Sequence, residues 1–194
     1  MTPLEMFVDA LHLTDPALVE ALIEASVPLH LDQGELLIRE GERPTVVPFL
    51  LEGIVRGYLF DENGREITDC FAVQPGSPVM PAADLQQPSP LYLEAVVACE
   101  FLVVSLADIQ RLLGKYEELQ QLYHQQLLDS FARHWEIKTT LCRSSAMQRY
   151  QWFLEKYPGL IDQVHHRSIA SFLGMTPVTL SRQRSALLQE TQET

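Results

Sequence analysis

The sequence predicts an α+β fold in which a β-rich middle lies between two helical regions, and three observations support this expectation. Residues 4–26 and 107–194 carry apolar side chains at helical spacing. Residues 27–106 instead contain seven short β-rich runs, separated by turn residues such as Gly41 and Gly64. Many short strands joined by tight turns are typical of an antiparallel sandwich or barrel, so we expect a β-barrel or jelly roll in the first half of the chain.

Composition and charge describe a globular protein. The chain has 194 residues, 46% of them apolar, and a formal net charge of −12, a balance that supports a hydrophobic core. No apolar run approaches the roughly 20 residues that cross a bilayer, so we expect no membrane association. The three cysteines, Cys70, Cys99 and Cys142, are widely spaced and form no C-x-x-C pair. This pattern argues against disulfides, zinc and iron–sulfur sites, and it favours a reducing cytoplasm.

The predicted elements of the first half follow one another at short intervals. Thr14, Asp15 and Pro16 provide a cap and a first-position proline, so we expect a helix to begin at Pro16. Asn63-Gly64 separates the β-rich runs IVRGYLF and EITDCFAV, and this dipeptide is a strong hairpin signal. The other predicted strands are VPLHL, ELLIRE, TVVPFLL, LYLEAVV and EFLVVSL.

Residues 116–142 contain neither Gly nor Pro, which predicts one continuous helix about 40 Å long. Its apolar side chains recur on one side, together with His134: Leu119, Tyr123, Leu127, Phe131, Ile137 and Leu141. A helix longer than a small domain either spans two domains or pairs with a second copy of itself. We favour self-pairing; the alternative is an amphipathic helix packed on its own barrel. A further helix is predicted from Ser145 to Tyr157.

Residues 165–188, HHRSIASFLGMTPVTLSRQRSALL, predict two short helices joined by a tight turn. Thr176-Pro177 provides a cap and a first-position proline for the second helix. Ala170 is small enough for the two helices to approach closely, and Gly174 tolerates the positive φ of the turn. This is the pattern of a helix-turn-helix, whose second helix enters the major groove of DNA. The alternative is a structural helix pair.

The second of these helices presents side chains that suit DNA. Arg182 can make paired hydrogen bonds to guanine or bind phosphate. Thr179 and Ser181 suit phosphates or base edges, and Val178 suits a thymine methyl group. The segment from Val164 to Gln189 contains no acidic residue. The predicted DNA-binding residues are His165, His166, Arg167, Thr176, Val178, Thr179, Ser181, Arg182, Arg184 and Ser185.

The negative charge is concentrated in the first part of the chain. Residues 1–142 carry 8 basic and 22 acidic side chains, a net charge of −14, whereas residues 143–194 carry 6 and 4, a net charge of +2. A net charge of −12 by itself argues against a nucleic-acid partner, but this asymmetry allows the C-terminal segment to approach DNA. We therefore expect weak nonspecific affinity and contact through the C-terminal segment alone.

Several segments carry a family resemblance. LDQGELLIREGE at 31–42 and LLEGIVRGYLFDENGREIT at 50–68 are similar to strands of a cyclic-nucleotide-binding barrel. HHRSIASFLGMTPVTLSRQR at 165–184 looks like a DNA-reading motif, and MQRYQWFLEKYPGLI at 147–161 is similar to the helix that precedes it. In these segments and their order, the chain resembles the Crp/Fnr superfamily of bacterial transcription regulators.

The resemblance implies three regions and two macromolecular partners. Residues 1–115 would form a sensor barrel of the cyclic-nucleotide-binding type with N-terminal helices, 116–142 a dimerisation helix, and 143–194 a reduced winged helix-turn-helix. A homodimer paired through the 116–142 helix would bind a palindromic site in double-stranded DNA, with half-sites one turn apart. Two positions depart from the family pattern: Val178 replaces a Glu that reads cytosine, and Gln183 replaces a core Ile. Little chain follows the second helix, so we expect missing or reduced wing strands.

The barrel sequence departs from cyclic-nucleotide receptors. Their Gly-Glu segment corresponds to residues 76–80 without the Glu, and Ser89 and Pro90 stand in place of an Arg and a Ser or Thr. Between Arg65 and Arg111 the chain has no Lys or Arg, and a buried phosphate without a cation bears a large desolvation cost. We expect an uncharged small-molecule effector, or a filled relic, in place of cyclic AMP or cyclic GMP. The candidate effector pocket contains Gly76, Ser77, Val79, Met80, Ser89 and Leu91.

The leading hypothesis is therefore a dimeric DNA-binding transcription regulator whose barrel does not bind cyclic AMP or cyclic GMP. The alternative is a ligand-binding and dimerisation module of the same fold, in which DNA binding has decayed. The sequence contains no G-x-S-x-G, P-loop, G-x-G-x-x-G or H-E-x-x-H motif, so we expect no enzymatic activity, catalytic residue, cofactor or metal site. His124 and His134 could ligate haem, but isolated histidines on a helix are more often structural.

Overall fold

A computed structural model describes residues 3–192. The helices are α1 Pro3–Leu11, α2 Pro16–Ala25, α3 Leu106–Leu113, α4 Glu117–Arg143, α5 Ala146–Lys156, α6 His166–Phe172 and α7 Pro177–Gln192, with a 3-10 turn at Leu160–Asp162. The strands are β1 Ser26–Leu31, β2 Leu36–Ile38, β3 Val46–Glu52, β4 Val55–Phe60, β5 Glu66–Ala72, β6 Tyr92–Ala95 and β7 Cys99–Ser105. Each strand lies within or next to one of the seven runs that the sequence predicted.

Two antiparallel sheets form the β-rich part, in the strand orders β1-β7-β3 and β2-β6-β4-β5. In the first sheet, Phe101 of β7 lies opposite Leu29 of β1 and Leu50 of β3. The predicted hairpin connects β4 and β5, and Gly64 adopts a φ of 73° in its turn. Asp61 holds this turn because its carboxylate accepts hydrogen bonds from the amides of Asn63 and Arg65, and the Arg65 bond is the main reason why the pKa of Asp61 is lowered.

Strand β3 is buried on both faces. Leu50 belongs to the core between the two sheets, with Phe101 and Leu93. Phe49 instead packs against the helical layer, where its ring lies 5.0 Å from the ring of Phe7 on α1. A strand that is covered on both sides needs an unbroken apolar run in place of alternation, which explains the sequence TVVPFLL.

The N-terminal helices are anchored by hydrogen bonds at the predicted start of α2. Asp15 caps this helix by accepting from the amides of Ala17 and Leu18. Glu118, in the first turn of α4, accepts from the amide and hydroxyl of Thr14 at 2.6 and 2.8 Å and from the Asp15 amide at 2.8 Å. These bonds, first of all that from the Thr14 amide, hold the pKa of Glu118 below its ordinary value.

The chain divides into two structural units. The first unit comprises residues 1–59 and 70–129, and the second comprises residues 60–69 and 130–194. The second unit therefore contains the tip of the β4–β5 hairpin and the last part of α4, in addition to the C-terminal helices. The three functional regions proposed from the sequence remain a prediction.

The second unit is built around aromatic side chains of α5 and α6. The rings of Phe153, Tyr157 and Phe172 lie within 6.0 Å of one another, and Trp152 stacks on Phe172 at 6.1 Å. Helix α5 begins at the predicted position with a reciprocal capping box between Ser145 and Gln148.

Helix α4 runs unbroken for 27 residues, as the absence of Gly and Pro predicted. The predicted apolar stripe is divided, however: Leu119 and Ile137 are buried, whereas Phe131 is 71% exposed. Trp135 is also 60% exposed, so the apolar surface of this helix includes a side chain outside the predicted stripe.

The C-terminal part consists of helices joined by short turns in the residues that the structure describes. Helix α7 continues to Gln192, beyond the predicted end near Leu188, and residues 143–192 contain no strand that could form a wing. Within residues 3–192, no helix has the length and apolar character needed to cross a bilayer.

Replacing Glu136 should weaken the second unit near neutral pH. Its carboxylate accepts from Lys156 Nζ at 2.8 Å and from the Trp152 indole at 3.0 Å. These two bonds, led by that of Lys156, lower the pKa of Glu136 from its ordinary value of 4.5. Because the folded-state pKa is lowered, the contribution of the carboxylate is present above about pH 4.5 and is lost as the pH falls through the folded pKa.

We therefore expect Glu136→Gln to reduce the free energy of unfolding by about 0.5–1 kcal/mol at pH 7, because the ion pair is partly exposed. Urea titrations that follow tryptophan fluorescence should show this difference shrinking below pH 4.5. Glu155→Gln, at an exposed position of α5, is the matched control and should leave stability unchanged. A pH-independent difference for Glu136→Gln would contradict the assignment.

Candidate nucleic-acid interface and effector cavity

A tight turn joins α6 to α7, and its geometry follows from two small residues. Gly174 has a φ of 60°, in the region that favours glycine. Ala170 is fully buried, and its carbonyl accepts from the Met175 amide at 2.9 Å. A Cβ at position 174 would lie 3.2 Å from Arg149 Nη1. The roles that the sequence predicted for Ala170 and Gly174 are therefore present in the structure.

The first turn of α7 is capped by Thr176. Its hydroxyl oxygen accepts from the Thr179 amide at 3.1 Å and lies 2.9 Å from the Thr179 hydroxyl. Pro177 occupies the first helical position, and no acidic side chain lies in the first turn. Backbone amides at a helix N-terminus carry partial positive charge, so this end of α7 suits an anion such as phosphate.

One face of α7 is exposed and free of acidic side chains. Four exposed residues lie on one side of the helix, because they are separated by three, one and three positions: Val178, Ser181, Arg182 and Ser185. Val178 is 61% exposed, although it is apolar. Leu180 is 1% exposed and fixes the opposite side of the helix in the core of the second unit. We refer to Val178, Ser181, Arg182 and Ser185 as the exposed α7 face.

The remaining predicted DNA-binding residues have different surroundings. His165 and Arg167 are exposed at the start of α6. Arg184 is half-buried and is engaged within its own unit, because its guanidinium lies 3.0 Å from His166 Nε2 and 3.4 Å from the Asp162 carboxylate. These contacts connect α7 to the start of α6. Gln183, where the family resemblance implied a departure, is also half-buried.

Ser171 on α6 is a residue that the sequence reasoning did not identify. Its hydroxyl accepts from the Thr68 amide at 3.0 Å and donates to the Glu66 carbonyl at 3.2 Å. Both partners belong to the hairpin segment 60–69 of the same unit. The Ser171 hydroxyl therefore links the backbone of β5 to helix α6 through two hydrogen bonds. Since its partners precede it by more than a hundred residues, no local sequence signal could have revealed the contact.

The predicted effector-pocket residues have different surroundings in the barrel. A Cβ at Gly76 would overlap Ala10 of α1, so this glycine is covered. Met80 packs toward the helical layer, whereas Val79 and Leu91 lie in the core between the sheets. The other two are held by backbone hydrogen bonds: Ser77 to β3, and Ser89 to the loop after β2.

A cavity of about 150 Å³ lies at the end of this inter-sheet core. Of the six predicted residues, Val79 lines it. Residues 78–79 pair with β3, since Phe49 and Pro78 form an isolated bridge and the Val79 amide donates to the Pro48 carbonyl at 2.8 Å. The cavity is lined by Leu37, Ile38, Glu42, Arg43, Pro44, Thr45, Val46, Pro48, Val79, Pro81 and Leu93.

Comparison with known proteins agrees with this architecture. Residues 28–116, slightly less than half of the chain, match the family model of the cyclic nucleotide-binding domain. No curated protein matches the chain. Many solved structures do match it.

Three of these structures illustrate the likeness. FixK2 from Bradyrhizobium japonicum is 20% identical over 86% of each chain, with a TM-score of 0.78. The c-di-GMP responsive global regulator CLP of Xanthomonas campestris is 14% identical over 91% of this chain and 93% of its own, with a TM-score of 0.73. A protein described as a transcriptional regulator of the Crp/Fnr family from Eubacterium rectale is 14% identical over 91% and 85%, with a TM-score of 0.69. The predicted α+β fold is thereby confirmed, and the chain shares it with these regulators.

Removing the Ser171 hydroxyl should destabilise the second unit. Ser171→Ala deletes both hydrogen bonds to the hairpin and leaves the Thr68 amide beside a helix that offers no acceptor. We expect a loss of about 1–2 kcal/mol in the free energy of unfolding, measured by urea titration, with faster hydrogen exchange at the Thr68 amide. Ser185→Ala, at an exposed position of α7, should change stability by less than about 0.5 kcal/mol. Equal effects of the two substitutions would refute the anchoring role.

Proposed function

Because the chain has the fold of Crp/Fnr regulators, with a cyclic nucleotide-binding-type domain at residues 28–116, we propose that it is a cytoplasmic, dimeric, DNA-binding transcription regulator. The observation that carries this proposal is the exposed α7 face. It combines a guanidinium, two hydroxyls and a methyl-bearing side chain at the N-terminal half of a helix, next to a capped turn. This is the arrangement in which a recognition helix meets base edges in the major groove.

The electrostatics of the second unit support contact with DNA at this surface. Residues 164–189 contain no acidic side chain, although the whole chain has a net charge of −12. Arg182 is exposed, so its guanidinium is available for paired hydrogen bonds to guanine or for a phosphate. The acidic remainder of the chain repels the phosphate backbone, which keeps nonspecific affinity low and leaves binding dependent on a small number of contacts.

We propose that α4 supplies the dimer interface. Phe131 and Trp135 are one helical turn apart, and both are mostly exposed to solvent in the single chain. Leu128, three residues before Phe131, is 50% exposed. Large apolar side chains at this spacing on a long helix are typical of helices that pair. A two-fold dimer would present two copies of α7 to the half-sites of a palindrome, about 34 Å apart.

We propose that the barrel does not bind cyclic AMP or cyclic GMP. Its cavity volume of about 150 Å³ is below the roughly 300–1,000 Å³ of sites that enclose drug-sized ligands. No Lys or Arg occurs between Arg65 and Arg111 to pair with a cyclic phosphate. We propose that the barrel senses a different and smaller molecule.

Arg182 provides a direct test of DNA binding. In gel-shift titrations on a fragment of its own promoter region, the wild-type dimer should bind with an affinity that falls steeply as salt increases. Arg182→Ala should weaken binding by about 1–3 kcal/mol, because one guanidinium contact to a base or phosphate is lost.

Arg39→Ala removes the same charge from an exposed loop of the first unit and is the matched control, for which we expect little change. Equal weakening by both substitutions would show that only total charge matters. Absent or salt-independent binding by the wild-type dimer would reject the regulator and favour the alternative of a ligand-binding and dimerisation module.

The dimer interface can be tested by placing a charge on α4. Trp135→Glu should leave the single chain folded, because Trp135 is 60% exposed, but it should convert the dimer to a monomer of 22.0 kDa in light-scattering chromatography. Arg133→Glu introduces the same side chain at an exposed position on a different side of the helix and should remain dimeric. A dimeric Trp135→Glu variant would exclude this surface as the interface.

A further inference from the structure

We propose that the barrel cavity binds a small apolar carboxylic acid, whose carboxylate is held by Arg43 at the cavity entrance. The inference rests on the sensor role proposed above, and it names the chemical class of the effector. It replaces the expectation of an uncharged effector, which considered only the cations of the segment between Arg65 and Arg111. Arg43 comes from the loop between β2 and β3 instead.

The interior of the cavity selects an apolar ligand. Leu37 and Ile38 of β2, Val46 of β3, Val79 and Leu93 supply aliphatic walls. A volume of about 150 Å³ accommodates a molecule of the size of benzene. The volume here, about 150 Å³, therefore suits one aromatic ring or a short branched chain. Val79 and Leu93 also belong to the core between the sheets, so a ligand in this cavity would contact side chains of the barrel core.

The entrance is formed by two loops that are tied to each other. The Gly41 amide donates to the Ser89 carbonyl at 2.9 Å, and the Ser89 amide donates to the Glu42 carbonyl at 2.7 Å. Arg43 Nη1 donates to the Gln86 carbonyl. These bonds place the Arg43 guanidinium at the edge of an apolar cavity, where a ligand with one charged end could leave that end in contact with both water and Arg43.

The charges at the entrance favour an anionic ligand. Among residues 3–192, Arg43 forms no ion pair, and one carbonyl occupies one of its five N–H donors. Glu42 also lines the cavity, but its carboxylate accepts from the Arg39 amide at 2.9 Å and lies 3.9 Å from the Arg39 guanidinium. The acidic group at the entrance is thus paired within its own loop. The free donors of Arg43 match the two oxygens of a carboxylate.

The test uses the full-length protein without DNA and four probes: benzoate, isovalerate, benzamide and cyclic AMP. Calorimetry and ligand-observed NMR should detect at least one of the two acids, with a dissociation constant in the millimolar range or tighter, as expected for ligands with few atoms. Benzamide, which has the shape of benzoate without the charge, should bind more weakly than benzoate. Cyclic AMP should not bind.

Arg43→Gln should weaken binding of the acid by about tenfold or more and leave benzamide affinity unchanged. Arg111→Gln, at an exposed position of α3 that does not line the cavity, is the matched control and should retain the acid affinity of the wild type. Val46→Phe places a ring into the cavity and should abolish binding of both the acid and benzamide. Thermal melting of each variant separates loss of the site from loss of the fold.

Three results would overturn the proposal: no binding of either acid at about 10 mM, equal acid affinity in the wild type and Arg43→Gln, or wild-type affinity in folded Val46→Phe. Micromolar binding of cyclic AMP would overturn the size argument. Because these titrations contain no DNA, they fail independently of the regulator proposal. Gel shifts that succeed while the acids fail would leave a DNA-binding protein with a different effector.

Discussion

Residues 47–51 of β3 are buried on both faces of their sheet, and several features of the first unit meet at this strand. One face completes the core between the sheets, and the other packs on the helical layer. The edge opposite β7 is occupied by residues 76–79, through hydrogen bonds that involve Leu50 and Pro48. The strand therefore joins the inter-sheet core, the N-terminal helices and the segment 76–79, of which Val79 lines the cavity. A change in the packing of any one of them has to be accommodated by the same five residues.

The second unit divides its polar side chains between structure and surface. Ser171, Arg184 and the Thr176 hydroxyl are engaged in bonds that fix α6, α7 and the turn between them. Val178 and Arg182 are instead exposed on the α7 face. Direct base contacts would then rest on few side chains, so the target sequence of such a regulator depends strongly on each of them. In the proposed complex with DNA, a valine at position 178 would favour apolar contact with thymine over a hydrogen bond to cytosine.

Much of the fold could be predicted because its signals are local. Turn residues separated the seven strands, the lack of Gly and Pro in 116–142 predicted α4, and Thr176-Pro177 marked the start of α7. The exposed surface of α4 was harder to predict. Helical spacing shows which side chains share a face, but it does not show which face the rest of the chain covers, and so Trp135 was missed.

The two candidate sites also differ in how far the sequence could predict them. The exposed α7 face lies within eight residues, so one helix brings its members together. The cavity instead collects side chains from β2, the loop before β3, residues 79–81 and β6. Arg43 lies outside the segment between Arg65 and Arg111, so the lack of cations in that segment gave no indication of it. The antiparallel pairing that brings distant segments together depends on the whole sheet, and register of this kind is not encoded in any one stretch of sequence.

The contact between Ser171 and the 60–69 hairpin has a consequence for how the chain acquires its structure. The second unit is assembled from two stretches separated by about sixty residues of intervening chain. Contacts between distant stretches slow folding, because a loop must close before the contact forms. During synthesis the hairpin is made long before α6, so the contact with Ser171 cannot form until α6 has been synthesised. A fragment that starts at residue 143 would lack the strand on which α6 rests, and it would be a poor substitute for the intact unit.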